Sequence, residues 1–261
     1  MVEKVMLNDT SKCIGCRGCQ VACKQWNQLS AGQTINRGTY QNPADLQPNT
    51  WLLLRIKEIV DEKGDPKWLF RKDGCMHCTE AVCEKVCPAG ARFRLESGAI
   101  GTDNERCIGC QSCVSACPFN KPRYSEEANK AYKCNLCADR VQDNLPPACV
   151  KACSTGALLF GDKGEILSRA YKRARELGKN ASVYGDKFFG GTHVIYVLEE
   201  KVDLYDGLPA RPKVASSVIF WKELLKPSRA MEAGIGLTGF AASSLFARRR
   251  HMNNQHLDDR G

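Results

Sequence analysis

The chain has 261 residues, with 38 Lys or Arg against 29 Asp or Glu, a formal net charge of +9 with neutral thiols, and 16 cysteines. That length can bury an ordinary apolar core, and the chain starts without a secretory pattern, which excludes a small secreted domain stapled by disulfides. Its basic residues are scattered rather than gathered into one stripe with stacking aromatics, which excludes a general DNA or RNA surface.

The first element is a cysteine run, Cys13, Cys16, Cys19 and Cys23. Trp51 to Val60 is rich in β-formers, and the turn residues Asp61 to Pro66 lead to Lys67, Trp68, Leu69 and Phe70, which predicts a hairpin. A second cysteine run, Cys75, Cys78, Cys83 and Cys87 before Pro88, opens with the same C-x2-C but has a longer next gap. The third, Cys107, Cys110, Cys113 and Cys117 before Pro118, repeats the first, sharing Ile14, Gly15 and Ala22 with Ile108, Gly109 and Ala116, and this is an internal repeat. The fourth is Cys134, Cys137, Cys149 and Cys153. Residues 164–178 place Ile166, Leu167, Ala170, Tyr171, Ala174 and Leu177 near one helical stripe with Arg and Lys opposite, predicting a packed surface helix. His193 to Leu198 reads as a strand closing the globular part, and beyond Asp203 the composition loosens into a tail.

No cysteine is left over. The C-x2-C-x2-C-x3-C-P spacing of the third run is that of a bacterial ferredoxin, and four runs of four predict four 4Fe-4S clusters. A cubane needs four converging thiolates, three of them from a tight loop whose small residues, Gly15, Gly18 and Gly109, let the backbone wrap the core. In two-cluster ferredoxins the fourth cysteine of each run serves the other cluster, so the runs must pair. Pro88 and Pro118 follow the second and third runs, whereas Lys24 and Ser154 follow the first and fourth, which pairs the runs as an inner and an outer set. The nested assignment is Cys13, Cys16, Cys19, Cys153 and Cys23, Cys134, Cys137, Cys149 for the outer pair, with Cys75, Cys78, Cys83, Cys117 and Cys87, Cys107, Cys110, Cys113 for the inner. Structural zinc takes C-x2-C knuckles and does not account for three cysteines from each of two compact loops.

The hairpin is expected to cover a cluster face. Each oxidised cluster with its thiolates adds about two negative charges, and Lys24, Lys85, Lys121, Arg123, Lys133 and Lys151, close to the runs, are expected to offset them. His77, inside the second run, is expected beside the ligands or facing solvent rather than on iron, because the cysteine complement is full. Trp26, Tyr124 and Trp221 are assigned no chemistry.

Through the four runs in order, CRGCQVACKQWN from Cys16 and LPPACVKACSTGALLFGD from Leu145 to Asp162, the sequence resembles the iron-sulfur β subunits of respiratory formate dehydrogenases, from about Met6 to Ala247. The resemblance implies an α+β fold of tandem ferredoxin-like modules, duplicated and nested, with a C-terminal helical tail. The domains expected are a cluster region over 1–205, with an outer module at about 6–50 plus 130–160 and an inner one at about 70–125, and an extension over 206–261. It also implies that formate is oxidised on a separate molybdenum or tungsten pterin subunit and that this chain, not itself an enzyme, carries the electrons onward. The four-cysteine motifs are shared with iron-sulfur subunits of other molybdopterin oxidoreductases, those of sulfur compounds or dimethyl sulfoxide, which is the alternative reading. Ser154 stands where the family usually has proline.

After Pro227, where the family enters a membrane helix, the uncharged stretch from Ala233 to Ala247 would span about 22 Å as a helix against a hydrocarbon core near 30 Å. Arg248, Arg249 and Arg250 follow at once, and a helix over about 229–247 would leave them in the cytoplasm and the clusters outside. The expected location is therefore the inner membrane, clusters on the periplasmic side, with a cytochrome b subunit as acceptor. The alternative is a soluble complex, its C-terminal helix docked on another subunit. The missing signal peptide does not decide this, since such subunits resemble passengers exported with a signal-bearing catalytic partner.

Overall fold

A computed structural model describes residues 3–61 and 63–214. The segment 229–247 and Trp221 lie outside the described residues. The strands are β1 (Lys4–Asp9), β2 (Leu53–Val60), β3 (Pro66–Asp73), β4 (Arg92–Arg94), β5 (Ile100–Thr102), β6 (Arg123–Ser125), β7 (Lys130–Tyr132), β8 (Leu158–Asp162), β9 (Ser182–Tyr184) and β10 (Val194–Leu198). The helices are α1 (Gly18–Trp26), α2 (Val82–Lys85), α3 (Ser112–Ser115), α4 (Ala138–Gln142), α5 (Ala148–Lys151) and α6 (Lys163–Leu177). The strands form one four-stranded sheet in the order β8-β1-β10-β9 and three hairpins, β2-β3, β4-β5 and β6-β7.

Alternation of side chains along β1 and β10 gives the larger sheet two different faces. Val5, Leu7, Ile195 and Val197 pack against Ile166 and Ala170 of α6, while Met6, Val194, Tyr196 and Leu198 join a second core that includes Cys19, Cys23 and Cys149. The helix is therefore a back layer and the cysteines occupy the front. α6 follows its predicted stripe except at Tyr171, which is exposed and donates its hydroxyl to Asp186.

β10 lies inside the sheet, between a parallel neighbour, β1, and an antiparallel one, β9, and every residue in it is buried. It is the strand expected within His193 to Leu198. Its unbroken apolar run is what a strand covered on both faces requires. Packing also continues beyond Asp203, because Tyr205 and Leu208 are buried in the front core.

The β2-β3 hairpin forms as expected, pairing Leu53 with Asp73 through to Val60 with Pro66. Its turn is closed by the Asp61 carboxylate, which accepts from the Lys63 and Asp65 amides at 2.8 and 2.9 Å. It covers the first cysteine loop: a Cβ on Gly15 would stand 2.7 Å from the Phe70 ring, so that position needs glycine for room as well as for its φ of +74°.

Candidate functional site

All sixteen cysteines are free thiols, spread from buried to exposed. Each C-x2-C opening contains a left-handed residue two places after its first cysteine: Gly15 (φ 74°), His77 (49°), Gly109 (72°) and Leu136 (58°). This bend aims an amide back at the sulfur. The His77 N–H points to Cys75 Sγ at 3.5 Å and the Leu136 N–H to Cys134 Sγ at 3.4 Å. The first and third runs continue alike, with Arg17 (φ 60°) and Gln111 (φ 58°) leading into α1 and α3.

A second repeated turn follows Cys87, Cys117 and Cys153, whose carbonyls accept from the amides of Gly90, Asn120 and Gly156 at 3.3, 3.0 and 3.3 Å. Those three residues are left-handed, at φ 60°, 51° and 65°. Ser154 thus turns as Pro88 and Pro118 do. The departure is at Cys23, where α1 runs on to Trp26. Proline after the fourth cysteine therefore does not sort these turns into the two sets.

Cys13, Cys16, Cys19 and Cys153 line one small cavity, with Lys72 and Leu54 in its wall. Burial pushes Cys19 up to about 11, partly relieved by Lys72, and Cys13, Cys16 and Cys153 push it further. Burial raises Cys23 well above the ordinary thiol range, and Cys134, Cys149 and Cys137 add to it. Cys78 is raised by burial and then by Cys75, Cys117 and Cys83. Of the remaining four, Cys113 is buried, Cys87 and Cys107 half-buried and Cys110 exposed, and Arg92 Nη2 points to Cys113 Sγ at 3.6 Å. The helices α2 and α3 of the inner runs pack together.

Cys19, Cys23 and Cys78 each resist ionisation through burial and through neighbouring thiols, so holding them as thiolates needs a cationic core among them. Among the described residues no three His, Cys, Asp or Glu side chains close in on a point that one ion could fill. Sulfurs near enough to repel one another, yet too spread for a single ion with bonds near 2.3 Å, fit a polynuclear iron-sulfur core better than zinc.

His77 is fully buried and does not face solvent. The Ile100 amide donates to its Nδ1 at 3.0 Å, so the ring hydrogen lies on Nε2, and the ring acts on Cys134. Burial alone would raise the Cys134 thiol, but His77 and Lys72 bring it down to about 7. The histidine itself is lowered to about 4, by burial and then by Lys133, so the neutral ring is the stable form.

The expected cations divide. Lys133 is buried and lowers Cys83, while its Nζ donates to the carbonyls of Ile100 and Cys134 at 2.5 and 2.9 Å. Lys121 donates to Asp73 at 2.6 Å and also lowers Cys117, Lys24 donates to the Asn49 carbonyl at 2.8 Å and is acted on by Cys23, and Arg123 donates instead to Asp45 at 2.6 Å. Two interior groups were not legible in the sequence, Lys72 and the Asp73 carboxylate, because Arg-Lys-Asp at the end of a hairpin strand looks like solvated surface. Trp26 is exposed, donating to Asp139 at 2.9 Å beneath the Arg140 guanidinium, and Tyr124 donates to Asn129 at 2.7 Å.

Models of the 4Fe-4S dicluster domain match residues 12–91 and 66–163. The chain is 46% identical over 243 residues to the formate dehydrogenase iron-sulfur subunit of Haemophilus influenzae, covering 89% of this chain and 77% of that one. This chain belongs to the family of formate dehydrogenase iron-sulfur subunits. Another member, the nitrate-inducible formate dehydrogenase iron-sulfur subunit of Escherichia coli, is 47% identical over 234 residues, covering 86% of this chain and 79% of its own. The thiosulfate reductase electron transfer subunit of Salmonella typhi is 41% identical over 167 residues, 63% of this chain and 79% of that one. The family is one of 4Fe-4S electron-transfer subunits and not of catalytic ones, and the mixed α/β content seen here suits two dicluster modules.

Proposed function

We propose that this chain passes electrons one at a time through four 4Fe-4S clusters, from a molybdenum or tungsten pterin subunit that oxidises formate to a membrane cytochrome b and quinone, or to another acceptor. The observation that carries it is the crossed neighbourhood of the thiols. Cys153 lies in one cavity with Cys13, Cys16 and Cys19, while Cys23 answers to Cys134, Cys137 and Cys149, and Cys117 to Cys75, Cys78 and Cys83. These are three of the nested ligand sets, and Cys87, Cys107, Cys110 and Cys113 are left for the fourth. The duplicated turns support an outer module of about 6–50 plus 130–160 and an inner one of about 70–125 within a cluster region over 1–205.

A 4Fe-4S cluster accepts and releases a single electron. The chain's own part is to hold four thiolates per site, aim amide N–H groups at their sulfurs, bring Lys72, Lys133 and Arg92 near them and keep most of the sulfur away from water. The exposed Cys16 and Cys110 leave two sites open to partners. Nothing in this arrangement acts on formate itself. Cys107→Ala in the purified complex should delete one cluster and abolish quinone-linked turnover, while formate oxidation with an artificial acceptor persists. Retained quinone-linked turnover would refute the relay.

The location we propose is the inner membrane, clusters on the periplasmic side, with a soluble complex as the alternative. The support is the Arg248 to Arg250 cluster after the uncharged stretch. Among the described residues no helix is long and apolar enough to cross a membrane. Deleting residues 228–261 should free the complex from lipid, and unchanged sedimentation with membranes would count against the anchor. Similarity to a thiosulfate reductase subunit favours one second reading, the same relay behind a sulfur-compound reductase. A copurifying pterin partner active only on such a substrate would establish that reading instead.

A further inference from the structure

Lys72, on β3, is 1% exposed, and its Nζ has no hydrogen-bond acceptor. Lys121 and Lys133, the other buried lysines among the described residues, both have acceptors, so Lys72 is the exception. The orphan is held firmly: the Lys72 carbonyl accepts from the Tyr196 hydroxyl at 3.0 Å, and a Cβ on Gly74 would already stand 3.5 Å from Nζ. The ammonium borders the cavity of Cys13, Cys16, Cys19 and Cys153, and also acts on Cys23, Cys134 and Cys149. The groups that act on it most strongly are thiols and the Tyr196 hydroxyl rather than a carboxylate. A buried, unpaired ammonium is strongly unfavourable, and the counter-charge available here is sulfur from two different ligand sets.

We propose that the Lys72 ammonium is a fixed positive charge shared by the two outer clusters, making both easier to reduce and keeping them close in potential. The inference rests on the four-cluster reading above. A cluster held at either site would gain one electron on reduction. The lysine shifts the balance through the attraction between its charge and the added electron. A charge placed beside both clusters lowers the energy of the electron on either, so a transfer between them is not trapped on one.

The test is a redox titration, followed by electron paramagnetic resonance, on the purified anaerobic complex carrying Lys72→Met. Two of the four clusters should become at least tenfold harder to reduce, a shift of 59 mV or more for one electron, with the inner two unchanged. Unchanged potentials in a variant that keeps its iron would overturn the inference. If Lys72→Met and Lys72→Gln lose the outer clusters, Lys72→Arg decides. Retained iron in that charged variant supports a role for the charge, and loss of iron there overturns it. Iron and sulfide counts on the unsubstituted complex test the four-cluster reading separately, before any substitution is made.

Discussion

Asp73→Asn should be among the most damaging single-atom changes in this chain. The Asp73 carboxylate is 0% exposed and accepts from Arg71 Nη1 at 3.2 Å, Lys121 Nζ at 2.6 Å and Arg55 Nε at 2.9 Å. Arg71 Nη2 and Lys121 Nζ also reach the carbonyls of Asp206 and Gly207, at 2.6 and 3.3 Å, so this one carboxylate joins the hairpin, the loop after the third cysteine run and the Tyr205–Leu208 segment. An amide in its place leaves Arg71 and Lys121 buried without their counter-charge and turns an NH2 group toward a cation. Breaking a buried pair from one side costs about 3–5 kcal/mol. For a domain of this size, with about 2–4 °C lost per kcal/mol, thermal unfolding of the anaerobic holoprotein should begin roughly 6–20 °C lower. Asp45→Asn is the control, since Asp45 bridges Arg55 and Arg123 from a half-exposed position, and it should cost no more than about 1 kcal/mol. Burial raises the Asp73 carboxyl, but the cations outweigh it and hold it far below the usual range. Its contribution is therefore full above the unfolded value near 4 and fades only as pH falls below that toward the folded value. Between pH 5 and 8 the gap between Asp73→Asn and the parent should stay constant. A loss no greater than that of Asp45→Asn would refute the hub.

Gly109→Ala should cost the protein one cluster, read as iron per chain, because its Cβ would stand 2.4 Å from the Asn129 carbonyl oxygen. Gly38→Ala, at the same φ of +72° with nothing within 4 Å, should cost only about 1 kcal/mol and keep all the iron. His77→Phe removes the polar ring that lowers Cys134 and should make one cluster roughly tenfold harder to reduce, about 59 mV, in a redox titration of the complex, whereas Lys72→Met moves two. Ile166→Ala should destabilise the fold by about 2–5 kcal/mol in anaerobic urea unfolding yet leave every cluster potential unchanged, since α6 lies behind the sheet.

Local chemistry was legible wherever one short segment carries it. Cysteine spacing marked the loops, Asp61 and Gly64 marked the turn of β2-β3, and the period of residues 164–178 marked α6. What sequence pattern could not reach were features created by residues far apart in the chain. β10 was legible as a strand, but its place inside the sheet was not, because an apolar run does not say how many neighbours cover it. Lys72 and Asp73 looked like surface because burial of a charge depends on partners such as Lys121 and Cys149. The left-handed backbone at His77 and Leu136 was hidden because only glycine advertises that conformation. Proline after the fourth cysteine says nothing of the turn there, since Ser154 turns as proline does.

The central claim is that sixteen thiolates hold four cubes of iron and sulfide, and the most direct measurement is iron and acid-labile sulfide per chain in the anaerobically purified complex, corrected for its partner subunits. The account predicts sixteen of each from this chain, with Cys16→Ala, Cys23→Ala, Cys75→Ala and Cys107→Ala each removing a different electron paramagnetic resonance signal. Eight irons, zinc in place of iron, or two of those four variants removing the same signal would contradict it.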